Sequence, residues 1–214
     1  MLMQALDGPR RTPSEVDYAL LWSTLLLLFF GMVMVYSASI AIAEAGKFTS
    51  HQPAYFLVRH AIFLCIGIVA AAVAFQVPLS AWQQLSPWLF VAGVLLLIVV
   101  LIPGIGRDVN GARRWLPMGI ANLQPSELMK LFAVLYAADY TVRKMAVMHD
   151  LKKAFLPMAG AMVFVGILLL KEPDFGAFVV IISIAIGILF LGGMRARLFA
   201  VLIVLLLGAF AVLI

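Results

Sequence analysis

Charged residues are scarce in this sequence. They make up 12% of its 214 residues, whereas 65% are hydrophobic and the mean hydropathy is +1.12. A soluble domain is usually about half apolar and a quarter charged, so the composition predicts an all-α integral membrane protein. The net charge of +5 does not indicate nucleic-acid binding, because no basic tract is interleaved with aromatic residues. Loop arginines and lysines that face anionic membrane lipids account for it better.

Cysteine and histidine are equally scarce. Cys65 is the single cysteine of the sequence and lies in an apolar run, which excludes an internal disulfide. His51, His60 and His149 are scattered without the spacing of a zinc site. Neither a glycine-rich phosphate loop nor an arrangement typical of a serine hydrolase is present. The sequence identifies no cofactor or metal ligand and leaves a divalent cation open.

Long uncharged runs are abundant, and they set the predicted architecture. The run from Tyr18 to Ala43 is too long for the core of a signal peptide, which is about 7–15 residues. The run from His60 to Gly106 exceeds one helix, because about 20 residues span a bilayer, and prolines 78 and 87 divide it. The predicted spanning helices are Leu20–Ile42, Ala54–Phe75, Pro87–Ile102, Ser126–Val142, Ala154–Leu170 and Phe175–Leu191, with a seventh that begins at Leu198.

The seventh helix is incomplete, because the chain stops inside an apolar run at Ile214. The last carbonyls of such a helix would lie unpaired in lipid, so we expect the chain to be the N-terminal part of a longer protein. The predicted organisation is a cytoplasmic tail (1–17) and a transmembrane domain (18–214) with one long loop (103–125).

The distribution of lysine and arginine favours a cytoplasmic N-terminus. With the N-terminus inside, the inner segments hold the basic clusters Arg10–Arg11, Arg143–Lys144, Lys152–Lys153 and Arg195–Arg197. The loop 103–125 then faces outward, although it carries Arg107, Arg113 and Arg114 against one acid, Asp108. Its arginines either bind an anionic ligand or extend to lipid phosphates, and spacing alone does not separate these two readings.

Two groups of charges border the predicted helices on this outer side. Glu127 and Lys130 share a face at the start of the fourth helix, where they form either a structural ion pair or part of a functional cavity; ionisable groups at such depth favour the cavity. Lys171, Glu172 and Asp174 occupy the short connection before the sixth helix, and Asp174 is its predicted N-cap. We expect this connection and the arginine loop to line one cavity.

Four segments together carry a family resemblance: "GMVMVYSASIA" (31–41), "NGARRWLPMGIANLQPSELMKL" (110–131), "YTVRK" (140–144) and "KEPDFGAFVV" (171–180). The chain resembles the SEDS family of bacterial cell-wall synthesis, and its division branch more than its elongation branch. The resemblance implies about ten spanning helices and a glycosyltransferase that polymerises lipid II at the outer face of the inner membrane, at the division septum. It also implies a class B penicillin-binding protein and other division proteins as partners.

The resemblance also implies site residues. By position, Arg114 matches the arginine before the family's tryptophan, and the residues Gln124, Glu127 and Lys130 match its QP(S/A)EL-x-K motif. Asp174 matches the QPD-x-G motif, in which Glu172 replaces the usual glutamine, and Arg113 carries less weight because relatives often have a small residue there. All seven are predicted to bind substrate. The catalytic aspartate is expected in an outer loop beyond residue 214, so we expect this chain alone to be inactive.

Two other functions remain open at this point. A basic cavity with an intramembrane Glu127–Lys130 pair would also suit a flippase that moves lipid II across the membrane. A scaffold that recruits cell-wall synthases without catalysis is the third alternative.

Overall fold

The structure is a computed structural model, and it describes residues 17–46, 49–109, 111–119, 122–148 and 150–213. Residues 1–16 lie outside the described residues, and with them lie nearly all of the predicted tail and both Arg10 and Arg11. The chain divides into two compact units, 1–76 and 77–214. The helices are α1 (Tyr18–Ala45), α2 (Tyr55–Gln76), α3 (Leu79–Leu101), α4 (Pro125–Lys144), α5 (Leu156–Lys171), α6 (Phe175–Leu191) and α7 (Ala196–Leu213).

The helical fold is confirmed, and four helical stretches are long and apolar enough to span a membrane. They are Tyr18–Ala45, Tyr55–Gln76, Leu79–Leu101 and Lys152–Lys171; the last includes a π-helical stretch before α5. Phe175–Leu191 and Ala196–Leu206 are shorter apolar helices, and α4 carries five charged residues along its length. Six spanning helices and part of a seventh therefore stay a prediction.

The first unit is a helical pair, α1 and α2. Asp17 caps α1 by accepting a hydrogen bond from the backbone N–H of Leu20 at 3.0 Å. The turn after α1 is held by the Thr49 hydroxyl, which donates to the carbonyls of Ala43 and Gly46. These side-chain bonds occupy carbonyls that the end of the helix leaves free, so α1 ends at Ala45.

The predicted start of α3 is wrong. Pro87 does not begin this helix but lies inside it, and the helix starts at Leu79 after Pro78. A proline in a helix interior leaves the carbonyl four residues earlier without its N–H partner. Here that carbonyl belongs to Gln83, and it accepts a hydrogen bond from the Ser86 hydroxyl at 3.0 Å. Ser86 thus replaces the missing donor and lets the helix continue.

The loop 103–125 is not irregular throughout, since it contains a small antiparallel sheet. Its strands are β1 (Arg107–Val109), β2 (Ala112–Pro117) and β3 (Asn122–Leu123), with β2 in the middle. Val109 pairs with Ala112, and Gly111 between them has φ +77°, a left-handed conformation for which hairpin turns favour glycine. The strands are too short to show an alternating hydrophobic pattern.

In the second unit, α4 packs against both α3 and α6, and α5 packs against α6. Small residues allow close packing: a Cβ at Gly93 of α3 would lie 2.6 Å from the Met129 sulfur, and a Cβ at Gly166 of α5 would lie 2.8 Å from the Phe178 ring. Buried Met129, Leu169 and Ile181 belong to one core. This packing brings the start of α4, the end of α5 and the start of α6 together beside β2.

Candidate functional site

Asp174 is the centre of a polar cluster in the second unit. It lies at the N-cap of α6, as predicted, and its Oδ1 accepts a hydrogen bond from the backbone N–H of Ala177 at 3.2 Å. Its Oδ2 accepts from the Ser126 hydroxyl at 2.7 Å and from the Gln124 amide at 2.9 Å. The residue is 5% exposed. These donors replace the water that the buried carboxyl oxygens would otherwise bind.

Arg114 brings the positive charge to this cluster. It lies on β2, and its Nη1 is 3.9 Å from Oδ1 of Asp174. At this distance the pair is a loose ion pair rather than a short hydrogen bond. The Arg114 Nε is buried and has no hydrogen-bond partner among the described residues, while the side chain as a whole is 34% exposed. The guanidinium is therefore oriented by Asp174 and keeps donors for another acceptor.

Arg113 behaves differently, although it is the next residue along the strand. Its Nη2 lies 3.0 Å from Oδ2 of Asp108 on β1, and its Nη1 donates to the Leu101 carbonyl at 3.4 Å. A Cβ at Gly106 would lie 2.8 Å from the Arg113 side chain, so the glycine makes room for it. Arg113 thus joins the hairpin to the end of α3, and its role in substrate binding stays a prediction.

Backbone hydrogen bonds to the carbonyls of two leucines hold the connection between α5 and α6. The N–H of Glu172 donates to the carbonyls of Leu168 and Leu169 at 3.1 and 3.2 Å, and the N–H of Asp174 donates to Leu169 at 2.9 Å. These bonds satisfy the free carbonyls at the end of α5. They place Glu172 and Asp174, two residues apart, in one tight turn, whereas the neighbouring Lys171 is exposed.

Glu172 is the unusual residue of this turn. It is 0% exposed, and neither of its carboxyl oxygens has a hydrogen-bond partner among the described residues. Burial, the larger cause, and the negative charge of Asp174 raise its pKa from 4.5 to about 8, against the opposing effect of Arg114. The carboxyl is consequently protonated at neutral pH. The family motif predicted substrate binding here but gave no sign of an unpaired acid.

Glu127 and Lys130 form the predicted pair at the start of α4, with Nζ 2.7 Å from Oε2. The expected burial is not seen, because the Glu127 side chain is 59% exposed and that of Lys130 is 28% exposed. Ser126, between Gln124 and Glu127, was not among the predicted site residues. It belongs to the site through its bond to Asp174, and the signal for it was its place within the QPSEL segment.

The site therefore unites part of the predicted set. Arg114, Gln124 and Asp174 are in contact, Glu172 lies beside them, and Arg113 and the Glu127–Lys130 pair make their described contacts elsewhere. Asp139 lies farther along α4, where it is buried and pairs with Arg143 at 2.8 Å. Within the described residues, no group of three or more His, Cys, Asp and Glu side chains could hold a metal ion.

Comparison with known protein families identifies the family of this chain. The family model described as "Cell cycle protein", which covers FtsW, RodA and SpoVE, matches residues 18–214. The chain belongs to this family. The resemblance to SEDS proteins, predicted from four short segments, is thus confirmed over nearly the whole chain.

Curated relatives point to the division branch of the family. A protein of Aromatoleum aromaticum named "Probable peptidoglycan glycosyltransferase FtsW" is 60% identical over 201 residues, which are 94% of this chain and 48% of that protein. A protein of the same name from Burkholderia thailandensis is 50% identical over 216 residues, which are 100% of this chain and 47% of that protein. The chain spans about half the length of these relatives.

Solved structures share the fold. The crystal structure of the rod shape determining protein RodA of Thermus thermophilus matches with a TM-score of 0.63 and 26% identity, covering 84% of this chain and 58% of that one. A structure described as "Structural coordination of polymerization and crosslinking by a peptidoglycan synthase complex" matches with a TM-score of 0.59 and 30% identity, covering 86% of this chain and 52% of that one.

Proposed function

We propose that the whole protein is a peptidoglycan glycosyltransferase that polymerises lipid II during septal cell-wall synthesis. The observation that carries the proposal is the Arg114–Asp174 cluster, in a chain 60% identical to a relative named as such an enzyme. Lipid II joins an undecaprenyl chain to its sugars through a pyrophosphate. Its recognition needs a cationic donor close to apolar helices, and the cluster provides one.

Arg114 is suited to hold the pyrophosphate for a physical reason. A guanidinium presents several N–H donors in a fixed plane and can bind two phosphate oxygens at once. Asp174 orients the group without using all of its donors, since the Nε remains unpaired among the described residues. Gln124 and Ser126 fix Asp174 in turn. The proposed role of this half of the protein is to bind and position the substrate.

A divalent cation at the site stays an expectation. Magnesium in phosphate sites usually binds through one or two carboxylates together with substrate oxygens. If a cation takes part, we expect it to arrive with the pyrophosphate rather than to reside in a site made by this chain.

The proposal includes an orientation. We propose an inner-membrane protein at the division septum with a cytoplasmic N-terminus, which puts the sheet and Arg114 outside. Single cysteines at positions 113 and 144, in a Cys65→Ala background of the full-length protein, can be labelled with an impermeant maleimide on spheroplasts. We expect labelling at 113 and protection at 144, and the opposite result would reverse the orientation.

The proposed partner is a class B penicillin-binding protein, which would crosslink the new glycan. The likeness to a structure described as a peptidoglycan synthase complex that coordinates polymerization and crosslinking supports this association.

The test of the function is an assay of purified full-length protein with lipid II and its partner synthase. Glycan strands resolved by length are the expected product. Transfer of labelled lipid II across vesicle membranes without any polymer would favour a flippase instead. The absence of both activities, with the synthase still bound, would favour a scaffold and overturn the enzymatic proposal.

A further inference from the structure

Two unpaired polar groups lie in the same cluster. Glu172 is 0% exposed and neither of its oxygens has a described partner, and the buried Nε of Arg114 also lacks one. Buried polar groups almost always find hydrogen bonds, so a group that does not find one calls for an explanation. A charged ligand bound at this cluster would account for both groups.

Charged neighbours affect the ionisation of Glu172. Those that act on it are Asp174 at the start of α6, which disfavours its ionisation, and Arg114 on β2, which favours it. Lys171 of α5 is exposed, and the charged residues of α4 nearest to the cluster, Glu127 and Lys130, pair with each other. Two carboxylates that share one arginine cannot both ionise at low cost.

The two protonation states leave Arg114 in different electrostatic surroundings. With Glu172 neutral, Arg114 faces one negative charge, that of Asp174, and can attract an anionic group. With Glu172 ionised, two buried carboxylates act on one guanidinium, the net charge of the trio becomes negative, and a phosphate-bearing ligand is repelled. Binding of such a ligand should in turn keep Glu172 protonated, because linkage between two binding events is reciprocal.

We propose that Glu172 is a proton-dependent control on anion binding at Arg114, such that the site accepts a lipid pyrophosphate when Glu172 is protonated and rejects it when Glu172 is ionised. This proposal rests on the proposed function, since it concerns the ligand of the same site. It assigns Glu172 a regulatory role rather than a direct catalytic one. A glutamine at this position would keep the shape of the neutral acid and remove the control.

The experiment compares wild-type and Glu172→Gln full-length protein. Binding of undecaprenyl pyrophosphate is measured across a pH series, with undecaprenol as the ligand that lacks the anionic group. If the ionised form does not bind, the affinity of the wild type falls about tenfold between one pH unit below and one above the pKa of Glu172. Glu172→Gln should show no such fall, and Asp150→Asn, which removes a partly exposed carboxylate, should behave as the wild type.

Infrared difference spectroscopy gives a readout that needs no ligand. The C=O stretch of a protonated carboxyl should be present in the wild type at neutral pH, disappear as the pH rises through about 8, and be absent in Glu172→Gln. An equal fall of affinity in both proteins, or no such band in the wild type, would overturn the proposal that Glu172 regulates binding. Failure of both proteins to bind undecaprenyl pyrophosphate at any pH would instead overturn the proposed function, and with it the proposed regulation by Glu172.

Discussion

Asp174 and Glu172 are two carboxyl groups in one turn, and both are buried. Asp174 accepts three hydrogen bonds and faces Arg114, whereas Glu172 has no hydrogen-bond partner among the described residues. Burial is therefore not what separates them. A buried carboxyl stays ionised where donors replace its lost water, and it keeps its proton where they do not. Hydrogen bonding thus distinguishes two acidic residues that lie only two positions apart in the sequence.

Arg114 is the charged residue that both carboxyls share, and its removal should have the largest effect. In the full-length protein, Arg114→Ala should lower kcat/KM for lipid II polymerisation. The loss should correspond to roughly 2–5 kcal/mol of binding free energy if the contact of Arg114 with the pyrophosphate is desolvated. Arg113→Ala is the control at the neighbouring position. It should lower kcat/KM by the equivalent of less than about 1 kcal/mol, because Arg113 forms a partly exposed pair with Asp108. Equal losses in the two variants would remove the distinction between these arginines.

Asp174→Ala removes the better-paired carboxyl. Ala177, Ser126 and Gln124 would each lose an acceptor, and we expect the free energy of unfolding to fall by about 2–4 kcal/mol. Thermal unfolding of the full-length protein in detergent measures the loss. Asp174→Asn keeps an oxygen for the helix cap and should lose less. A negligible effect of Asp174→Ala would mean that the cluster does not hold α4 to α6.

Glu172→Gln should raise the free energy of unfolding, in contrast to Asp174→Ala, and the size of this effect should depend on pH. The pKa of Glu172 is raised from 4.5 to about 8 in the folded protein, so between these values the folded state holds a proton that the unfolded state has released. The stability of the wild type then falls as the pH rises through this window and levels off above it. We expect Glu172→Gln to be more stable than the wild type by on the order of 1–3 kcal/mol above the window and nearly equal below it.

Thermal unfolding at several pH values checks this prediction. Asp150→Asn serves as the control, since Asp150 is a partly exposed carboxylate paired loosely with Lys153 at 3.9 Å. A constant difference between Glu172→Gln and the wild type at every pH would show that Glu172 has the same pKa in the folded and unfolded protein, and that burial does not raise it.

The comparison also shows how far the sequence could predict the site. Asp174 was identified as a cap because an acidic residue before an apolar helix is a local signal, and α6 was predicted with its observed bounds, Phe175–Leu191. The contact of Asp174 with Gln124, 50 residues away, followed only from the expectation that two segments line one cavity. The protonation of Glu172 had no local signal, because it depends on which side chains pack around the turn.

Similar reasons explain the differences in the fold. Proline at position 87 usually indicates a helix start or break, and the Ser86 hydroxyl that compensates for it acts through a single bond to Gln83. The strands of the loop 103–125 are held by backbone pairing between β1, β2 and β3, which leaves little trace in a hydrophobic pattern. Local rules thus predicted helices well and non-local contacts poorly.

The smallest effect is expected for Glu127 and Lys130, which complete the comparison as an ion pair outside the cluster. The sequence predicted a pair at depth, whose disruption would cost about 3–5 kcal/mol if both charges were buried. The structure instead shows a short contact of 2.7 Å with Glu127 59% exposed. For such pairs the coupling energy is about 0–1 kcal/mol, since water screens the charges and two long side chains lose freedom.

A double-mutant cycle on stability decides between these values. Glu127→Gln, Lys130→Met and the double variant of the full-length protein give the coupling energy directly. A value below about 1 kcal/mol is expected from the exposure of Glu127. A value of several kcal/mol would mean that the pair is desolvated in the whole protein, as the sequence predicted. Glu127 and Lys130 would then join Asp174 among the buried charges with a partner, and Glu172 alone would stand apart as the buried acid that keeps its proton.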